Sequence, residues 1–374
     1  MQFNEIVGQY SLKQNFIQSI RLQKMPHALL LVGSEGVGAL PITLAIIQYL
    51  LCENRSEFDS CGICGPCKKV KKLIHPDIHF SKPVIKHPKL TYKAGETAIS
   101  LDWMNEWRQA ILENPYLNYN DWMQVQAGET NAQGNITAKE CGEILKFLSL
   151  KSFESGYKFV IIWMAEYLGN EGNRLLKQIE EPEDNTFFFL IAENYEQVLG
   201  TIQSRSQLIK LPPLSNEEIT NALVEQKQTL LETAQSISVL ADGNFNSALK
   251  LLKEKDDSLE KTFLDWMQII IRKQKKEWVT YADQLAKLGR ENQKQMIKYG
   301  LILLRQATLF QNTNDFEIHN EREKAYCSYL SQKLTVDKLQ QFSQLMDEMY
   351  FQVERNANPK ILFLHNSFEI AELF

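Results

Sequence analysis

The sequence is short of several things, and each shortage narrows the class of protein. No apolar run in its 374 residues approaches the roughly 20 that a membrane-spanning helix needs. The opening stretch MQFNEIVGQY has no apolar core of the kind a secretory signal carries. A cytoplasmic location, with no membrane contact, is therefore expected. Surplus positive charge is missing too. Against 41 Lys and Arg stand 46 Asp and Glu, a net charge of −5, and the pI is near 5.8. That excludes a chain that coats nucleic acid by charge alone, although local basic patches remain open. There is no internal repeat. What is left is an ordinary globular composition, 44% hydrophobic and 23% charged, in a chain long enough for two or three domains with cores of their own.

Cysteine is scarce as well, but it is not scattered. Of six cysteines, Cys141 and Cys327 stand alone, while Cys52, Cys61, Cys64 and Cys67 fall within residues 52–67. In a reducing compartment a disulfide framework is not expected. Gly62, Gly65 and Pro66 let the last three sulfurs curl round one ion, with Cys52 arriving from the preceding helix. Four thiolates suit tetrahedral zinc and leave no open coordination position, so the expected role is structural. Iron–sulfur ligation competes, but Cys67 is followed by KKVKK rather than by a further cysteine and proline. A third reading, four free buried cysteines, fits poorly with two-residue gaps beside glycine. His75 and His79 in HPDIH lie just beyond and read as a helix exit and a strand start, since four sulfurs already fill the shell. The basic run 68–72 reads as a solvated helix face rather than a nucleic-acid site.

Apolar periodicity divides the chain in two. HALLLV, KFVIIW (158–163) and TFFFLIA (186–192) are continuous apolar runs, as in buried parallel strands, and DIHFSKPV (77–84) and DWMQVQA (121–127) read as further strands. Helices are expected at ITLAIIQYLL, TAKECGEILKFLSL and NEGNRLLKQIEE. Strands alternating with helices imply an α/β layer with a parallel sheet. After Pro212 and Pro213 the strand signals stop, and NEEITNALVEQ, DSLEKTFLDWMQIIIRKQ, NQKQMIKYGLILLRQATLF, VDKLQQFSQLMDEMYFQVE and KILFLHNSFEIAELF all read as helix. The double proline is one expected joint, and the charged stretch 251–258 is another. Residues 80–100 read as an irregular excursion from the layer, the wider stretch 81–121 has no assignable task, and 128–135 read as a polar loop.

Between HALLLV and ITLAIIQYLL lies GSEGVGALP. Gly33, Gly36 and Gly38 have the spacing of a phosphate-binding loop in its required strand–loop–helix setting. The loop lacks its chemistry: Ala39 occupies the lysine position, and Leu40 the position of the magnesium-binding hydroxyl. The strand KFVIIW leads into Trp163 and Met164, where a nucleotide hydrolase carries carboxylates; Glu166 comes two residues later, in the expected turn. A lysine charge 4 Å from a phosphate charge is worth about 4 kcal/mol at an effective dielectric of 20. Losing lysine, hydroxyl and carboxylates together is expected to abolish hydrolysis and to leave weak backbone-only nucleotide binding at most. The glycines then serve the strand–helix turn.

VGQ (7–9), PHALLLVGSEGVG, the cysteine module, HPD, NRLLKQIEEP and TIQSRSQ occur here in the order found in bacterial clamp-loader subunits of the AAA+ class. The chain resembles that family over about residues 1–215, most of all its delta-prime type within the DNA polymerase III clamp loader. Beyond residue 215 the resemblance rests on the helical pattern and on ERNANPKILFL. It implies a RecA-like parallel-sheet domain over 1–212 with an inserted zinc module at about 52–67, a small helical lid over 213–255, and a helical collar for oligomerisation over 256–374. It also implies a subunit without ATPase activity of its own, working beside delta and gamma/tau subunits and meeting the sliding clamp and primer–template DNA through the complex. In this family the arginine of Ser-Arg-Cys reaches into a neighbour's ATP site, which maps onto Arg205, preceded by Ser204. Ser206 stands where the motif has cysteine, and GNFNSALK (243–250) lacks the nucleotide-sensing arginine of active relatives. Two other readings compete: an active gamma/tau-type ATPase, which the missing lysine and carboxylates oppose, and a stand-alone zinc-dependent nucleic-acid binder, which the pI opposes.

Overall fold

The computed structural model describes every residue except 129–131, 254–257 and 314–320. Its described residues divide into two compact units, Met1–Ile219 with Asp242–Leu249, and Thr220–Ala241 with Lys250–Phe374.

The first unit is built on a five-stranded parallel sheet: β1 (Ala28–Val32), β2 (Ile78–Ser81), β3 (Lys158–Trp163), β4 (Thr186–Ala192) and β5 (Gln207–Lys210), in the order β2-β3-β4-β1-β5. The central strands are those with uninterrupted apolar sequence, because both faces of a parallel sheet are covered by helices. β3 is buried throughout, and Ile161 pairs with Phe189 of β4, which in turn pairs with Leu29 of β1. One face packs on α1 (Tyr10–Arg21) and α2 (Ala39–Leu51), with Phe16, Ile20, Ile42 and Ile46 in its core. The other packs on α6 (Ala138–Ser149), through Ile144 and Leu148. α3 (Gly65–Lys71), α4 (Met104–Glu113) and α5 (Tyr119–Ala127) lie between. This is the α/β layer with a parallel sheet expected from the sequence.

Three local expectations are corrected. DWMQVQA is a helix, α5, not a strand. Asn118 caps it by accepting from Asp121 N at 2.8 Å, and Asp121 Oδ2 accepts from Asn118 N at 3.1 Å. This reciprocal pair satisfies free N–H groups at the helix start and outweighs the local β-propensity. NEGNRLLKQIEE opens as 3₁₀ turns over Ala165–Leu175, broken at Gly169, and becomes α-helical only in α7 (Leu176–Glu180). Beyond the short α8 (Gly200–Gln203), QLIK forms an edge strand that the sequence pattern missed. β2 covers only part of 77–84, and Val84 instead makes an isolated bridge with Asn135. Of the expected polar loop 128–135, residues 129–131 lie outside the described residues.

Downstream the chain is helical: α9 (Asn216–Lys227), α10 (Leu231–Ala241), α11 (Phe245–Lys253), α12 (Ser258–Ile271), α13 (Lys275–Ala286), α14 (Arg290–Thr313), α15 (Glu321–Lys333), α16 (Val336–Glu354) and α17 (Pro359–Leu373). The core of the second unit gathers Trp266, Trp278, Leu303, Phe342, Met346 and Phe363. The indole N–H of Trp266 donates to Ser367 Oγ at 2.9 Å, so its polar atom is satisfied within that core. The joint expected at 251–258 falls mostly on residues 254–257, outside the described ones.

Candidate functional site

The phosphate-type loop sits where β1 ends and α2 begins. Gly33 N donates to Ala192 O at 3.3 Å, anchoring the loop to the end of β4. Gly36 and Gly38 have φ of +71° and +98°, a region that favours glycine. Both are also crowded. A Cβ on Gly36 would lie 1.9 Å from Asn244 Oδ1, and one on Gly38 would lie 3.1 Å from the Tyr116 ring. The first turn of α2 reads Ala39-Leu40-Pro41, so no charge, hydroxyl or third N–H faces a phosphate there. The proline is a further deficit that the motif comparison passed over.

The cleft beside the loop is narrow and lined mainly by apolar and glycine residues. Its walls include Gly33, Ser34, Leu40, Tyr116, Trp163, Met164 and Glu193, and it holds about 30 Å³ of space. At the roughly 10–15 Å³ one water needs, that admits about two or three waters. Tyr116 comes from the segment between α4 and α5, at the end of the excursion for which the sequence offered no task. Its ring is buried edge-on against Phe245 at 4.9 Å, and its hydroxyl accepts from Val7 N at 2.9 Å. The same segment fastens the loop from the side: Asn118 Nδ2 donates to Glu35 Oε2 at 3.0 Å. Asn114 Nδ2 donates to Asn246 Oδ1, and Asn246 Nδ2 to Asp121 Oδ2, both at 2.6 Å. Phe245 N donates to Gly36 O at 3.2 Å.

No lysine or arginine lines the cleft to meet a polyphosphate. Glu193 follows β4, and burial, then Glu35, Glu166 and Asp121, push its carboxyl up to about 9. At the end of β3, Trp163 packs on Trp107 at 5.0 Å and Met164 takes a left-handed conformation. Glu166 is turned away to the chain leaving β4, where its Oε1 accepts from Glu193 N at 3.0 Å and Asn194 N at 3.4 Å. Burial raises its carboxyl above the ordinary value despite those bonds. Sequence motifs revealed the missing groups, but Tyr116 and Glu193 carried no motif.

The cysteines meet as the spacing implies. The Sγ atoms of Cys52, Cys61, Cys64 and Cys67 all lie within 4.8 Å of one another, the single such grouping among the described residues. Tetrahedral zinc with bonds of about 2.3 Å requires sulfurs about 3.8 Å apart, so the donor set fits a zinc-sized ion. Cys52 ends α2, Gly62 makes the turn, and Pro66 in the first turn of α3 brings Cys67 inward. N–H groups of Cys61 and Cys64 reach the sulfurs of Cys52 (3.2 Å) and Cys61 (3.4 Å). Backbone donors from Ile63 and Cys64 pull the Cys61 thiol down to about 6, while burial raises those of Cys52 and Cys67. Asp59 ties the module to the N-terminus by accepting from Phe3 N and Asn4 N, each at 3.0 Å. His75 follows α3 and His79 lies in β2, where its Nε2 meets Glu140 at 3.1 Å; neither joins the cluster.

Arg205 lies just beyond α8. Its Nε donates to Glu180 Oε2 at 2.8 Å, and its Nη1 to Thr201 O at 3.2 Å and Ser204 Oγ at 3.4 Å. Glu180 belongs to NRLLKQIEEP, so two sequence motifs converge on one partly exposed guanidinium. It is not gathered with the phosphate-type loop or the cysteines.

Against known proteins, the family model described as "DNA polymerase III, delta subunit" matches residues 8–215. The DNA polymerase III subunit delta' of Bacillus subtilis is 26% identical over 210 residues, 56% of this chain and 49% of that protein. The Escherichia coli delta' subunit is 24% identical over 242 residues, 64% of this chain and 58% of its own length. The DNA polymerase III subunit gamma of Buchnera aphidicola (Schizaphis graminum) is 26% identical over 260 residues, 67% of this chain and 57% of its own length. The chain thus spans about half to three-fifths of the length of these relatives.

Proposed function

The chain belongs to the DNA polymerase III delta subunit family, and from that we propose that it is a non-catalytic, delta-prime-type subunit of a replicative clamp loader. It supports ATP-dependent loading of the sliding clamp, and it supplies Arg205 to a neighbouring subunit's ATP site. The observation that carries this reading is a contrast. The chain's own cleft is lined by Tyr116 and Glu193 and by no lysine or arginine, while Arg205 is held partly exposed with a motif partner. An arginine in trans stabilises charge on a transferring phosphoryl group, and in related enzymes it is worth roughly 10³–10⁵ in rate. Glu180 and Ser204 keep the guanidinium extended until a phosphate replaces them.

Zinc is the ion we assign to Cys52, Cys61, Cys64 and Cys67. With four thiolates and no open position it would brace the α2–α3 connection and do no chemistry. We take residues 1–212 as the RecA-like domain, 213–255 as the lid and 256–374 as the collar through which delta and gamma/tau subunits assemble. Clamp and primer–template DNA are met within that assembly, in the cytoplasm; no described helix is long and apolar enough to cross a membrane.

The match to a gamma subunit keeps an active ATPase as the second reading. Equilibrium binding of Mg–ATP to the isolated chain separates the two. We expect no saturable binding at millimolar nucleotide and no hydrolysis. Magnesium-dependent turnover by the isolated chain would favour the second reading.

A further inference from the structure

The HPD turn and the lysine-rich helix α3 take no part in nucleotide chemistry, yet together they hold up one side chain. Asp77 is almost wholly buried, and its carboxylate accepts four hydrogen bonds from one short loop. The donors are the N–H of Phe153, the N–H of Glu154 (3.1 Å), and the N–H (2.9 Å) and hydroxyl (2.8 Å) of Ser155. Burial would raise this carboxyl; the bonds reverse that and leave it below its ordinary value. The neighbouring Glu154 is held as well, by Lys69 of α3. Three successive residues are thus fastened. The residue at the start of that run is Phe153, which is 81% exposed, and Leu150 nearby is 59% exposed.

Nothing in the loop's own hydrogen bonding requires an aromatic at position 153, because the bonds are made by its backbone N–H and by its neighbours. A large apolar side chain on a pre-ordered loop is what a binding anchor requires: it loses little freedom when it docks and removes apolar area from water. The surroundings specify the partner's chemistry. Lys151 lies on the loop, and Lys68 on α3 and Lys72 just past its end are exposed, on the helix that Lys69 brings alongside Glu154. With Glu154 paired to Lys69, the charges on the loop and on the adjoining end of α3 include those of Lys151, Lys68 and Lys72. An aliphatic neighbour and a net charge of −5 favour a protein over a nucleic-acid strand.

We propose that Phe153 is an anchor by which this chain docks a protein partner that presents an apolar socket rimmed by carboxylates. The inference rests on membership of the clamp-loading assembly, and it places that partner among the assembly's other proteins.

The test uses the full chain and, as probes, the purified delta, gamma and sliding-clamp proteins of the same organism, with affinities measured at low and high salt. F153S is expected to bind one of the three at least about 30-fold more weakly, the loss typical of an interface hot spot. F153Y should bind close to the parent, and the melting temperature of F153S should not move. The double variant K68E/K72E should weaken the same contact and flatten its salt dependence. D77A, which releases the loop but keeps the phenylalanine, should weaken it too. If the parent binds these probes and F153S binds each as tightly, the anchor is wrong while assembly membership stands. If F153S loses affinity for primer–template DNA and keeps its protein contacts, the site is a nucleic-acid site and the proposal fails. If the parent binds none of the three, membership itself fails and the anchor with it.

Discussion

Glu193 shows how far one residue can be carried from its ordinary chemistry by its surroundings. Half-buried beside Glu35, Glu166 and Asp121, its carboxyl is pushed up to about 9 by desolvation and then by those carboxylates, against an ordinary value of 4.5. Between those values the unfolded chain has lost a proton that the folded chain retains. Stability must therefore fall as pH rises through this window. Glu193→Gln removes the titration while keeping the shape. The variant should be more stable than the parent by about 1–3 kcal/mol at pH 8, the two converging below pH 5. Melting curves recorded from pH 5 to pH 9 check this, and parallel pH dependences would refute it. Single residues were legible in the sequence only where a motif fixes what should be there. Ala39, Leu40, Trp163 and Met164 stand out because a lysine, a hydroxyl and carboxylates are expected at their positions. Tyr116 and Glu193 could not be found that way, because their effect comes from proximity across the fold.

Elements were legible in proportion to how completely they are buried. β1, β3 and β4 are continuous apolar runs and appear where expected. β5 has exposed polar ends and only Leu208 and Ile209 between them, so it becomes a strand only by pairing with β1. α5 was misread because the mix of aromatic and apolar residues in DWMQVQA resembles a strand. The decisive signal was the Asn118–Asp121 capping pair upstream, and Val125, inward in a strand reading, is 46% exposed. The cysteine module was the most legible element, since ligand spacing is local. Its link to the α2–α3 connection gives a direct expectation: the purified chain should carry one zinc per molecule. Cys67→Ser, or a strong chelator, should remove the metal and lower the melting temperature, because binding free energy at such a site is folding free energy. Metal analysis with thermal melts checks both, and iron in place of zinc would overturn the assignment.

At the scale of the whole molecule, the division into an α/β part and a helical part was visible in the loss of strand signals after Pro213. Where one ends and the other begins was less so: residues 242–249 belong to the first compact unit although they follow two helices assigned mainly to the second. Hydrogen bonds from Asn246 to the segment around α5 account for this, and such long-range amide pairs leave no periodic trace. The first unit keeps the strand–loop–helix of a phosphate-type loop without its lysine, hydroxyl and carboxylates, and Arg205 is partly exposed beside Glu180. The role of the molecule therefore turns on Arg205. The most direct measurement is ATP turnover by the assembled clamp loader containing Arg205→Ala, alongside the parent and the isolated chains. The expected result is an intact complex with unchanged melting and zinc content whose turnover at the neighbouring site falls by roughly 10³-fold or more. Turnover equal to that of the parent complex would contradict the account.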